Sequence, residues 1–293
     1  MRMSPECVPC LIRRVLFETE EVDASKSIET VKDATAVLGR LFDDHVCSAS
    51  VATEVHRRIY GLLGNDDPYE DLKMKSNEVA LELYPHAERF VASSKNRLKA
   101  AFICSVAGNV LDFGIGTGFD HPDTLKKEFR SLLGEGLGYD DTPKIRRLLG
   151  RGKTVAYLTD NCGEVVFDRL VLKELKRLGV ETTLIVKEKP ILTDATLKDI
   201  EGLGMESLVA EIKETPGFAV GVGIRALNGP FGRMLRKHDL VIAKGMANYE
   251  AISETDIEPI AYLLRTKCKP VAESMGLAKN INAVKLFDGR CKR

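Results

Sequence analysis

Apolar residues recur at helical spacing over residues 1–107 and, from residue 154 onward, gather into short continuous runs separated by helical stretches. Val8, Leu11, Ile12, Val15 and Leu16 make one apolar face behind a Ser4-Pro5-Glu6 helix start. Ile28, Val31, Ala34, Val37, Leu38 and Leu41 make a second. Val51, Val55, Ile59, Leu62 and Leu63 make a third, which stops at Gly64-Asn65. A fourth run opens at Asp66-Asp67-Pro68 and continues through Leu83; Pro85 should break it, with helix resuming from Ala87 to about Ala107. No repeat or low-complexity linker interrupts these stretches, so they are expected to pack as one bundle.

The second half changes period. Thr154-Val155-Ala156-Tyr157-Leu158 is a β-branched, apolar run of the kind buried in a parallel sheet. Val165, Val166, Leu170, Leu172, Leu175 and Leu178 follow at helical spacing, Gly179 stops that helix, and Val180 to Val186 reads as the next strand. Asp239 to Ala243, Ile257 to Leu264 and Ala283 to Phe287 are further strand candidates. Before them lie a helix from about Asp123 to Leu133, a Gly- and Asp-rich loop, and a short basic helix whose Arg146, Arg147, Arg151 and Lys153 read as a solvated face. The predicted fold class is α/β: a Rossmann-like, three-layer, mostly parallel sheet over residues 108–293, with a helical segment at 120–150, preceded by an all-helical bundle over residues 1–107.

Composition narrows the function classes. The 293 residues carry 43 basic and 43 acidic side chains, a balance that argues for neither a nucleic-acid partner nor an anionic membrane. No run approaches a membrane span, and Met1 to Arg14 lacks a signal-peptide core. Seven cysteines, an odd number and scattered, do not form a disulfide framework, so a soluble cytoplasmic protein is expected.

Candidate chemistry concentrates where strands end. Thr159-Asp160-Asn161-Cys162-Gly163-Glu164 follows the first parallel strand and opens a helix, at the edge where open α/β sheets bind ligands. The free N–H groups of that helix start suit a phosphate, and Asp160 supplies a hard anionic oxygen for a cation. Thr193-Asp194-Ala195-Thr196 comes after the next strand; Asp194 either caps the following helix or faces the same cation. Lys244-Gly245 ends a third strand, the lysine placed to meet a phosphate oxygen and the glycine letting the backbone approach, without Walker spacing. Asn109 and Asp112 stand beside glycines whose spacing does not fit a dinucleotide fingerprint; they point into a cleft, or Asn109 caps the helix before it. Cys7-Val8-Pro9-Cys10 has the spacing of a redox pair or half a zinc site, with Cys47 and His45 or a second chain as candidate completions. A structural or accessory thiol pair is the plainer reading.

In order, Cys7-Val8-Pro9-Cys10, Gly108-Asn109-Val110-Leu111-Asp112-Phe113-Gly114, Asp160-Asn161-Cys162-Gly163-Glu164, Thr193-Asp194-Ala195-Thr196 and Lys244-Gly245-Met246-Ala247-Asn248-Tyr249 resemble the motifs of the damage-control phosphatases, first catalogued as domain of unknown function eighty-nine. The resemblance covers essentially the whole chain, and the cysteine pair is similar to that of a subgroup found in archaea and some other microbes. It implies a helical amino-terminal part on a Rossmann-like domain and divalent-metal-dependent hydrolysis of phosphometabolites. It also implies Asp160, Asn161 and Asp194 as metal-binding positions, with Lys244 and Asn248 near the substrate phosphate. Met246-Ala247 departs from many relatives, which carry a polar or acidic residue there, and this bears on the substrate pocket.

The expected activity is hydrolysis of small phosphorylated metabolites, sugar phosphates or nucleotide-related phosphomonoesters, with Mg²⁺, Mn²⁺, Ni²⁺ or Co²⁺ held by Asp160, Asn161 and Asp194. Asp160, Glu164 and Lys244 are the catalytic candidates: Lys244 stabilises the phosphoryl oxygens, and a water held by the ion attacks, oriented by Glu164 or Asp112. Asn109, Asp112, Gly163, Lys244, Gly245 and Asn248 are expected around the substrate. Two rivals stand beside this reading. One is a metal- and metabolite-binding protein without turnover; the other is a zinc or redox module built on Cys7 and Cys10.

Overall fold

The structure is a computed structural model, and residues 1–109 and 122–289 are described. Among the described residues, seven strands form one sheet: β1 (Tyr139–Asp140), β2 (Thr154–Leu158), β3 (Glu181–Lys187), β4 (Glu211–Thr215), β5 (Leu240–Lys244), β6 (Ile260–Arg265) and β7 (Asn282–Phe287). Their order is β1-β7-β6-β5-β2-β3-β4, parallel throughout except for the antiparallel β6–β7 pair. From β2 the chain adds β3 and β4 outward on one side, then returns to lay β5 and β6 on the other. The reversal falls between β2 and β5, which pair from Val155↔Leu240 to Leu158↔Ala243. In a parallel sheet the crevice outside the carboxyl ends of such a pair is where a ligand finds room.

The mostly parallel α/β sheet is the expected fold class, and two strands went unrecognised. β1 has only two residues, and β4 (Glu-Ile-Lys-Glu-Thr) is a charged edge strand whose half-exposed pattern lacks the apolar run of its neighbours.

Period-two alternation sends β2 side chains to two different layers. Val155 and Tyr157 pack with α4 (Glu70–Ser93), α5 (Arg97–Gly108) and α8 (Glu164–Arg177). Ala156 and Leu158 pack with α1 (Cys7–Asp23), α2 (Ser27–Leu41) and α3 (Ser48–Leu63). Between these groups in the chain, α6 (Pro122–Glu135) and α7 (Thr142–Leu148) precede β2. The single bundle expected over residues 1–107 is therefore divided between the two faces of the sheet. The reason lies in α5, where every residue from Ala100 to Gly108 is buried; a helix apolar all round has to sit inside the core.

Pro85 does not end a helix, as α4 runs unbroken from Glu70 to Ser93. The carbonyl that loses its partner belongs to Leu81, a residue exposed enough for water to serve instead. The break comes at Asn96, whose side chain accepts from the Lys99 N–H at 3.1 Å and caps α5. Arg146, Arg147, Arg151 and Lys153 are all exposed. No helix among the described residues is long and apolar enough to cross a membrane.

Candidate active site

Two loops are joined at the sheet edge. The Asp160 carbonyl accepts from the Ala195 N–H at 2.8 Å, the Cys162 N–H donates to the Thr193 carbonyl at 2.8 Å, and Asn161 bridges Asp194. These bonds bring the loop after β2 and the loop after β3 into register, so Asp160, Asn161 and Asp194 lie together. All three are buried, at 3–5% exposure, yet all three line one cavity of about 160 Å³.

Asp160 is held from several sides. Its Oδ2 accepts from Asn109 Nδ2 at 3.0 Å and from Asn161 Nδ2 at 2.7 Å. Gly245, at φ +73°, brings bare backbone against it: a Cβ there would lie 1.8 Å from Asp160 Oδ2. The expected close approach at Gly245 is thus to the protein's own carboxylate. Gly108 serves α5 in the same way, since a Cβ would lie 2.8 Å from Phe167 and 2.9 Å from the Glu164 Cα. That tight α5–α8 contact delivers Asn109, the C-cap residue of α5, to Glu164 Oε2 at 2.7 Å. Asn109 is both the C-cap residue of α5 and one of the residues that line the cavity.

Asp194 does not cap the next helix. Thr196 does, with Asp199 completing a reciprocal capping box. Asp194 is paired instead with Lys187 at 3.2 Å, a buried lysine at the end of β3 that also donates to the Ala219 and Gly221 carbonyls. Sequence reasoning missed Lys187 because it ended the strand one residue early.

Lys244 and Glu164 lie elsewhere than expected. Along β5, Val241 and Ala243 face the layer that holds the cavity, so Leu240, Ile242 and Lys244 face the opposite one. Lys244 is fully enclosed there, bonded to Glu164 Oε1 and to Asp168 Oδ1 at 2.9 Å. Asp168 Oδ1 also accepts from Tyr157 Oη at 2.8 Å and Ser105 Oγ at 2.6 Å. Burial pushes the Lys244 ammonium down, but Asp168 and Glu164 outweigh it and hold the group above its ordinary value. Burial likewise pushes the Glu164 carboxyl up, against the pull of Lys244. Neither side chain lines the cavity; Glu164 is joined to it by Asn109, which bonds Glu164 and Asp160 at once, and by Asn161 Nδ2 at 3.4 Å.

The remaining candidates are mostly scaffold. Asn248 Nδ2 ties the ends of β2 and β5 together through the Thr159 carbonyl at 3.0 Å and the Lys244 carbonyl at 2.8 Å. The Gly163 N–H, expected for a phosphate, donates to Asn77 Oδ1 at 2.6 Å. Asp112 lies outside the described residues.

Cys7 and Cys10 sit on the same cavity as Asp160, together with Cys268. Burial pushes the Cys7 thiol up to about 11 and Cys268 to about 12, away from the thiolate character that redox chemistry needs. Cys47 donates instead to the Glu250 carbonyl at 3.5 Å. Among the described residues, the one trio of His, Cys, Asp or Glu close enough to share an ion is Asp43, Asp44 and His45, an exposed turn. The cysteines therefore assemble no zinc set there.

The chain matches the damage-control phosphatase ARMT1-like domain over residues 3–281, and it belongs to that family. It is 37% identical to a damage-control phosphatase of Archaeoglobus fulgidus, across 94% of this chain and 96% of that one. A damage-control phosphatase of Pyrococcus horikoshii is 29% identical across 95% and 96% of the two chains. The crystal structure of a DUF89 family protein of Pyrococcus horikoshii has a TM-score of 0.85 to this fold at 28% identity, covering 98% of this chain and 99% of the other.

Proposed function

We propose that the chain is a divalent-metal-dependent phosphatase that hydrolyses small phosphorylated metabolites in the crevice between β2 and β5. The observation that carries this reading is the Asn161–Asp194 bridge, which sets two carboxylates and a side-chain amide side by side on a cavity wall. The donor set fits a hard cation: each of Asp160, Asn161 and Asp194 offers a side-chain oxygen. Asp160, Asn161 and Asp194 would hold the ion. When bound, it supplies the positive charge that polarises the phosphoryl group and orients it for displacement.

The chain's own residues do the rest. Asn109 and Asn161 fix the Asp160 carboxylate from one side and Gly245 gives it room on the other. Lys187 anchors Asp194, and Lys244 with Glu164 holds Asn109 from behind, so both lysines are positioning residues in this reading. Leu11, Ala52, Val220 and Met246 line the cavity with apolar surface, and this low-polarity wall strengthens the charge interactions there. A cavity of about 160 Å³ suits a small metabolite.

The test is metal removal. Stripped protein should lose hydrolysis of p-nitrophenyl phosphate and regain it with an added divalent ion. Full turnover after exhaustive stripping would overturn the metal assignment, and absence of turnover with every ion would favour the binding-protein rival.

A further inference from the structure

Resting on the phosphatase reading, we propose that His56 is the acid that protonates the leaving oxygen, with Glu18 as the residue that positions it. Helix α1 brings Glu18 and Arg14, and α3 brings His56, to the side of the cavity made by the amino-terminal helices. His56 and Glu18 are both fully enclosed. His56 Nδ1 stands 3.0 Å from each carboxylate oxygen of Glu18, and Tyr69 Oη donates to Glu18 Oε2 at 3.5 Å. An ionised carboxylate only accepts, so Nδ1 carries the hydrogen in that contact, and Nε2 is the nitrogen left for a ligand.

His56 Nε2 is buried and has no hydrogen-bond partner among the described residues, and His56 is one of the residues that line the cavity. A buried ring nitrogen without a partner is unfavourable, and a ligand oxygen in the cavity relieves it. A phosphate seated among Asp160, Asn161 and Asp194 has room for its ester oxygen in the rest of the cavity, which His56 and Arg14 line. Of these two, arginine keeps its protons, whereas histidine is a side chain that can pass one on, and a carboxylate behind Nδ1 orients the ring for it. Glu250, also on the cavity, already accepts from Ser48 Oγ at 2.7 Å.

In the step, water oxygen bonds to phosphorus as the phosphorus–oxygen bond to the alcohol breaks. The Nε2 proton passes to the departing oxygen, giving the neutral alcohol. One proton of the attacking water returns to the imidazole and the other stays on inorganic phosphate.

The experiment is a leaving-group series on metal-loaded protein, from p-nitrophenyl phosphate, which needs little acid help, to phenyl phosphate, which needs more. His56→Gln should lower kcat/KM for phenyl phosphate about 100-fold and for p-nitrophenyl phosphate by less than about tenfold, as general acids contribute. Glu18→Gln, which leaves the ring in place and removes the charge behind it, should move the same ratio in the same direction; it carries the test should His56→Gln not fold. Equal losses on both esters, no loss on either, or a ratio that moves with Glu250→Gln instead would overturn the proposal. Wild-type protein inactive on both esters would sink the phosphatase reading itself, a different outcome.

Discussion

Two polar networks meet at the end of β2 and differ in what they face. Behind the strand end, Lys244 lies among Glu164, Asp168, Tyr157 and Ser105, and every member is fully enclosed. In front, Asp160, Asn161 and Asp194 are almost as deeply buried, yet they face a cavity. Burial alone does not separate scaffold from site. What separates them is the direction of the charge: the rear carboxylates turn toward an ammonium and hydroxyls of the protein, and the front ones line space that a ligand can enter. The rear network reaches the front at Glu164 Oε2, which accepts from Asn109 Nδ2 at 2.7 Å and from Asn161 Nδ2 at 3.4 Å.

The strongest way to break the comparison is Asp160→Asn. It preserves shape and removes a front charge, so activity should fall about 1,000-fold through weaker cation binding and transition-state stabilisation, while stability changes little. Steady-state kinetics, metal-binding calorimetry and urea unfolding on one preparation decide it; normal turnover and metal affinity would remove Asp160 from the site.

Lys244→Met should give the reverse profile, with stability as the main casualty. Removing one partner of a buried pair costs about 3–5 kcal/mol, because Glu164 and Asp168 are left facing each other. A lysine that only contacted phosphate would leave the unfolding midpoint where it was. The pH dependence follows from the raised folded value of Lys244. Its contribution is present in full below the unfolded value of about 10.4 and is lost as pH rises through the higher folded one. The gap between wild type and variant should therefore be constant near neutrality and narrow only in strongly alkaline solution.

Gly245→Ala sharpens the boundary between the networks and has the smallest expected effect. A Cβ directed at Asp160 Oδ2, on a backbone at φ +73°, should cost about 1–3 kcal/mol and displace the carboxylate. Activity should fall about tenfold more than the loss of folded protein explains. An active, fully stable variant would show that the front carboxylate is not held by that close approach.

Legibility in the sequence followed the range of the forces involved. β2 was read to the residue, because a β-branched apolar run flanked by polar punctuation is a local signal. Asp160, Asn161 and Asp194 are legible as strand-end polar residues; Asp194's pairing with Lys187 is not, since the apolar run ends at Val186, one residue short of the strand. Charged residues at core positions of helices were available clues: Arg14 and Glu18 share a helical face with Leu11 and Val15, and all four are buried. Their signal is weak because an apolar pattern with single charges looks like imperfect amphipathicity.

By itself, then, the sequence determined most of the elements, the α/β class and the family, and it marked polar residues at three strand ends, since propensity, periodicity and motif spacing act over a few residues. Tertiary structure decided which way each charge points. Lys244 at a strand terminus was readable; that its side chain lies behind the sheet depends on the parity of β5 relative to a cavity built by α1 and α3 from the other end of the chain. The same long-range packing split the amino-terminal helices between two faces and brought His56 and Glu18 to the cavity that Asp160 lines. Such contacts join residues far apart in the chain, and no local pattern encodes which partner a buried charge will meet.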